Sequence, residues 1–87
     1  MANKFQKVYN QILKITDKTK DKVLFDLLVL ITGDDELNKI SGIERNTFIR
    51  QAKDFFIARG NFSARYRTGI LSTLKVYAQN IVSARKL

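Results

Sequence analysis

The chain has 87 residues, 45% of them apolar, and sixteen lysines and arginines stand against eight acids for a net charge of +8. That length makes a single domain, residues 1–87, with one modest core, and the apolar content excludes wholesale disorder. With no cysteine and no histidine there is no disulfide framework, no thiolate metal site and no Ser–His or Cys–His pair, so the expectation is a binding protein rather than an enzyme, with no cofactor and no metal.

The chain lacks proline and has four glycines, three of them placed where helices should stop, which predicts an all-α fold with short connections. The first helix is expected from about Asn3 to Thr16, with Phe5, Val8, Tyr9, Ile12 and Leu13 recurring at three- and four-residue steps on one face. A break follows, in which Asp17 or Thr19 is expected to cap the second helix, about Lys20 to Thr32. Val23, Leu24, Leu27, Leu28, Leu30 and Ile31 cover most of that helix's circumference, which predicts the most buried element of the molecule. Gly33 suits a left-handed residue just past its end.

Asp34, Asp35 and Glu36 form the one acidic cluster, without the alternating oxygens and closing glutamate of a calcium loop. It reads as a solvated turn that starts a short helical piece through Ile40. Ser41 and Glu44 have the spacing of a capping box, which opens a third helix running to about Arg59 with Phe48, Ala52, Phe55 and Phe56 on its inner stripe. Gly60-Asn61 is a stop and restart, in which Gly60 takes a positive φ and Asn61 caps a fourth helix from about Phe62 to Ala84. Phe62, Tyr66, Ile70, Leu74, Tyr77, Ala78 and Ile81 line its inner side, and Gly69 is read as a place where a neighbouring helix approaches closely. The expected architecture is an antiparallel four-helix bundle.

No segment approaches the ~20 apolar residues that span a bilayer; the longest unbroken run is Leu27 to Ile31. Lys4, Lys7, Lys14 and Lys18 interrupt the N-terminal region, so no signal-peptide core is read there and a cytoplasmic location is expected, with any membrane contact peripheral at the inner face.

Charge is divided unevenly. Residues 1–43 hold seven lysines and six acids, a net of +1, whereas residues 44–87 hold all six arginines, three lysines and two acids, a net of +7. Such a half-chain calls for a partner with negative charge: nucleic acid, an anionic surface or an acidic protein. Arg59, Arg65 and Arg67 bracket the Gly60 turn and are expected to be exposed there, with Tyr66 between them at a surface edge. Lys75, Arg85 and Lys86 continue along the last helix, and the last two also complement its negative end. These seven residues form the candidate partner-binding set. The other aromatic residues fall on core stripes rather than forming base-stacking platforms.

Leu37 to Arg50 resembles a helix-turn-helix: a short helix, the turn at Gly42, the apolar Ile43, and a second helix opening with polar and basic groups. The resemblance implies that Arg45, Asn46, Thr47 and Arg50 face a major groove and that the partner is nucleic acid. A wider resemblance rests on the order of helices, the stretch Glu44 to Phe56 with its Ala52-Lys53, the Gly60-Asn61 turn, the spaced Ile70, Leu74 and Tyr77-Ala78, and the opening Val8 to Leu13. These features are similar to the immunity proteins of class II bacteriocins, of pediocin-like and lactococcin type. That resemblance implies a small basic four-helix bundle binding, from the cytosolic side, the membrane receptor complex that the bacteriocin seizes. A third reading is a helical adaptor or inhibitor of an acidic protein.

Overall fold

A computed structural model describes residues 3–41, 50–51, 54, 56 and 58–85. Among them four helices are delimited: α1 Lys4–Leu13, α2 Asp21–Gly33, α3 Asp35–Ser41 and α4 Ala64–Arg85. Arg50, Gln51, Asp54, Phe56, Ala58 and Arg59 are helical as well, where the sequence predicts its third long helix, and no described residue is in a strand. The fold is an all-α helical bundle, as the absence of proline and the apolar periodicity predict.

α1 starts where Asn3 accepts the Gln6 amide on its Oδ1 at 2.9 Å. It buries Phe5, Val8 and Ile12, whereas Leu13 is left 63% exposed. Residues 14–20 form a turn held by two threonines. The Thr16 amide donates to Thr19 Oγ1 at 2.9 Å, and the Lys18 amide donates to Thr16 Oγ1 at 3.1 Å. Thr19 is therefore occupied within the turn and does not cap α2, and neither does Asp17; the capping position is Lys20, with no side-chain bond.

α2 buries Leu24, Leu27, Leu28, Ile31 and Thr32, the last by donating its hydroxyl to the Leu28 carbonyl at 2.8 Å. It is not buried all round, because Val23, Val29 and Leu30 are each about half exposed. A bundle this small has no further layer to cover its outer side. Gly33 also departs from expectation. It is the last helical residue and does not take the left-handed conformation, because extended Asp34 (φ −110°, ψ 121°) makes the turn instead. Asp34 then caps α3 through Oδ1 to the Leu37 amide at 3.0 Å. The acidic cluster is the helix-starting turn that the sequence predicts.

Ser41 closes α3; its side chain and the rest of the capping box, Gly42 to Glu44, lie outside the described residues, as do Phe48, Ala52 and Phe55. Gly60 has the expected positive φ of 74°. Asn61 does not cap α4. Ser63 does, by accepting the Tyr66 amide on Oγ at 3.2 Å, because Phe62 is buried and its amide donates to Asp21 Oδ2 at 3.0 Å. Gly69 is exposed, and among the described residues a Cβ there would meet nothing within 4 Å, so none of the described helices approaches it closely.

α4 supplies Ile70, Leu74, Tyr77, Ala78 and Ile81 to the core, packed on Phe5 and Val8 of α1, the leucines of α2 and Leu37 of α3. At 22 residues it is about 33 Å long, in a molecule whose longest extent is 38 Å. Its direction follows from its bonds. The Arg67 Nη2 donates to the Asp17 carbonyl beyond the end of α1, and the Tyr77 hydroxyl donates to the Leu37 carbonyl. The start of α1 lies by the same end, where Lys4 pairs with Asp34 at 3.1 Å and Glu36 at 2.8 Å. α1 thus runs antiparallel to both α2 and α4. At the opposite end Phe25, Phe56, Phe62 and Tyr66 form a ring-on-ring cluster, with Phe25 stacked on Phe56 at 4.5 Å and Phe56 edge-on to Phe62 at 4.6 Å. Phe25, Phe56 and Phe62 are packing, as the sequence indicates, whereas Tyr66 is half-buried at the edge of the cluster.

Candidate functional site

The candidate basic residues occupy separate places on the bundle. Arg59 and Arg65 are exposed on either side of the Gly60 turn, and Tyr66 is half-buried against the Phe62 ring at 5.1 Å. Burial pushes the Tyr66 hydroxyl up from its usual 10.0. Lys75 is exposed ten residues beyond Arg65, about 15 Å along α4, and Arg85 ends the helix about 30 Å from Arg65. Lys86 and the Arg85 side chain lie outside the described residues, as do Arg45, Asn46 and Thr47; Arg50 is helical and exposed.

Arg67 corrects the expectation of exposure. Its side chain is only 19% exposed, and its Nη1 pairs with Asp21 Oδ1 at 2.6 Å while Nη2 donates to the Asp17 carbonyl at 2.8 Å. A cation in the first turn of a helix opposes the helix dipole, and Asp21 answers that charge across the bundle. Arg59 needs no partner either, because it sits at the C-terminal end of a helical stretch, where the dipole favours it. Arg65 is the remaining case. It is exposed in the first turn of α4, which contains no acid, and it has no ion pair or hydrogen bond through its side chain among the described residues. Among the described residues nothing compensates this charge.

At the other end the carboxylates are committed to structure. The Leu37 amide, and then Lys4, hold Asp34 below its usual 3.8, while Glu36 and then Asp34 hold Lys4 above its usual 10.5. Among the described residues no group of three or more acids could hold a metal ion.

A second feature went unread in the sequence. A groove of about 580 Å³ runs between α1 and α4, lined by Tyr9, Leu13, Leu71, Ala78 and Val82, with Asp17 and Lys75 along it. The local signal was partly present: Leu71 and Val82 are apolar and lie beside the core stripe of α4, and Leu13, expected on the inner face of α1, stands 63% exposed at the groove's edge. Which helices those flanks would meet is a matter of tertiary arrangement, which periodicity does not supply. Among the described residues no helix is long and apolar enough to cross a membrane.

No family model, no curated protein and no solved structure matches this chain.

Proposed function

We propose that this protein is an immunity protein of the class II bacteriocin type, which protects its cell by binding at the cytosolic side of the receptor complex that the bacteriocin occupies. One observation carries the reading: Arg65 is an exposed arginine held where the helix dipole disfavours it and where no described residue pairs with it. A charge kept at a cost to the fold is a charge kept for a partner. Arg59 across the turn and Tyr66 at its edge extend that surface, and exposed Lys75 lies further along α4; Arg85 and Lys86 belong to the candidate set by sequence alone. The action is binding alone, with no reaction and no cofactor, in the cytoplasm at the inner face of the membrane. The all-α bundle with a long final helix after a tight glycine turn agrees with what the resemblance implies. Expression in a host sensitive to class II bacteriocins tests the reading. Cells making the protein should survive one peptide of a panel that kills cells without it; sensitivity unchanged to every peptide counts against the proposal.

A second reading has its own support. α3 ends at Ser41, directly before the Gly42 turn of the helix-turn-helix pattern, and Arg50 is helical and exposed. In that reading Arg45, Asn46, Thr47 and Arg50 reach base edges. Sequence-selective duplex binding at ~150 mM salt, lost on changing Arg45, Asn46 and Arg50 together, would replace the immunity reading with this one.

A further inference from the structure

We propose that the α1–α4 groove docks an amphipathic helix of a partner protein that carries one acidic and one basic residue about two turns apart. The inference stands on the groove alone and does not depend on the protective role.

Two antiparallel helices with apolar flanks make a trough that accepts a third helix ridge-into-groove. The lining from Leu71 to Val82 spans twelve residues of α4, about 16 Å, which is room for three turns. Leu13 stands at the edge 63% exposed, so the trough is shallow on the α1 side. A slender acyl chain would leave Leu13 wet, whereas a helix about 10 Å across covers both edges.

Charge chooses between the occupants independently. Asp17 and Lys75 both line the groove, and among the described residues neither side chain has an ion pair or hydrogen bond. They sit at different levels. The Asp17 carbonyl is bound by the Arg67 guanidinium, and on α4 the backbone of Lys75 lies eight residues beyond that of Arg67, about 12 Å along the helix axis. A single-headed amphiphile answers one of these charges, and an anionic surface is repelled by the other. A helix with an acid and a base seven or eight residues apart presents both on one face, about 10–12 Å apart, and answers both. Apolar burial drives such docking, while exposed ion pairs of this kind mainly fix register and orientation.

The test uses the full chain and synthetic helical peptides of one apolar pattern. They carry Glu and Arg seven residues apart, or Glu at both positions, or Arg at both. The chain has no tryptophan, so a tryptophan on the peptide reports binding without background. The Glu/Arg peptide should bind about tenfold tighter than either like-charged peptide, roughly 1.4 kcal/mol. Asp17→Lys should shift the preference to the Glu/Glu peptide, and Lys75→Glu should shift it to the Arg/Arg peptide. Leu13→Gln, at an exposed position, should weaken all three and leave the helical signal unchanged. Equal binding of the three peptides, preferences that ignore the charge exchanges, or binding untouched by Leu13→Gln would overturn the proposal. So would sedimentation showing that the chain self-associates through this groove.

Discussion

Asp21 joins the start of α2 to the start of α4, and its removal should be among the most costly single changes in the molecule. Its carboxylate accepts two bonds, from Arg67 Nη1 at 2.6 Å and from the Phe62 amide at 3.0 Å. Both members of the ion pair are only 19% exposed in their side chains. Asp21→Ala leaves a guanidinium four-fifths buried with no counter-charge and orphans the amide of a buried phenylalanine. An unsatisfied buried donor costs ~1–3 kcal/mol. Breaking a fully buried pair from one side costs ~3–5 kcal/mol, and residual access to water reduces that here. The two terms overlap, and together they give a loss of about 3 kcal/mol, a large share of the stability of a small domain. Asp21→Asn keeps an acceptor for Phe62 and should lose roughly half as much. Urea unfolding followed by circular dichroism measures both, and a cycle with Arg67→Met isolates the pair, with a coupling expected at ~1.5–3 kcal/mol. A loss below ~0.5 kcal/mol for Asp21→Ala, or additive single and double variants, would refute the reasoning.

Further outcomes follow from the same structure. Leu28 is 2% exposed in the core, so Leu28→Ala should cost ~2–5 kcal/mol in the same unfolding assay. The glycines should respond with opposite signs. Gly60→Ala should destabilise by ~1–2 kcal/mol because its φ is 74°, whereas Gly69→Ala, in open space within α4, should stabilise by ~0.5–1 kcal/mol. Burial, and then the charge of Asp34, push the Tyr77 hydroxyl up to about 12. The stabilisation from keeping it neutral is complete below the unfolded value near 10 and is lost as pH rises through about 12. Alkaline unfolding should therefore have a component that Tyr77→Phe removes, and an identical alkaline profile for that variant would contradict the assignment.

The fold was legible where local chemistry decides it. Phe5, Val8 and Ile12 repeat on one face of α1, Ile70, Leu74, Tyr77 and Ile81 repeat on α4, and Gly60 marks the turn that needs a positive φ. Local rules went astray where a capping residue had another use. Thr19 serves the 14–20 turn, and the amide of Phe62 is drawn to Asp21, which leaves Ser63 as the cap of α4. The candidate site was legible only in part, for a related reason. Arg65 and Arg67 look alike in sequence, being two residues apart in one basic cluster. The helix turn between them points Arg67 at Asp21, 46 positions away, and leaves Arg65 in solvent. Which arginine has an internal partner depends on how α2 lies against α4, and no local pattern encodes that distance. The groove was hidden likewise, because its two walls come from opposite ends of the chain.

The central claim is that Arg65 is kept for a partner and not for the fold, so the direct measurement compares Arg65→Gln with the native protein in stability and in protection. Removing a cation from the first turn of α4 should leave the unfolding free energy unchanged or raise it by ~0.3–1 kcal/mol. The same variant, produced at equal level in a bacteriocin-sensitive host, should protect less well than the native protein. Full protection by Arg65→Gln, or a loss of stability large enough to account for diminished protection, would contradict the account.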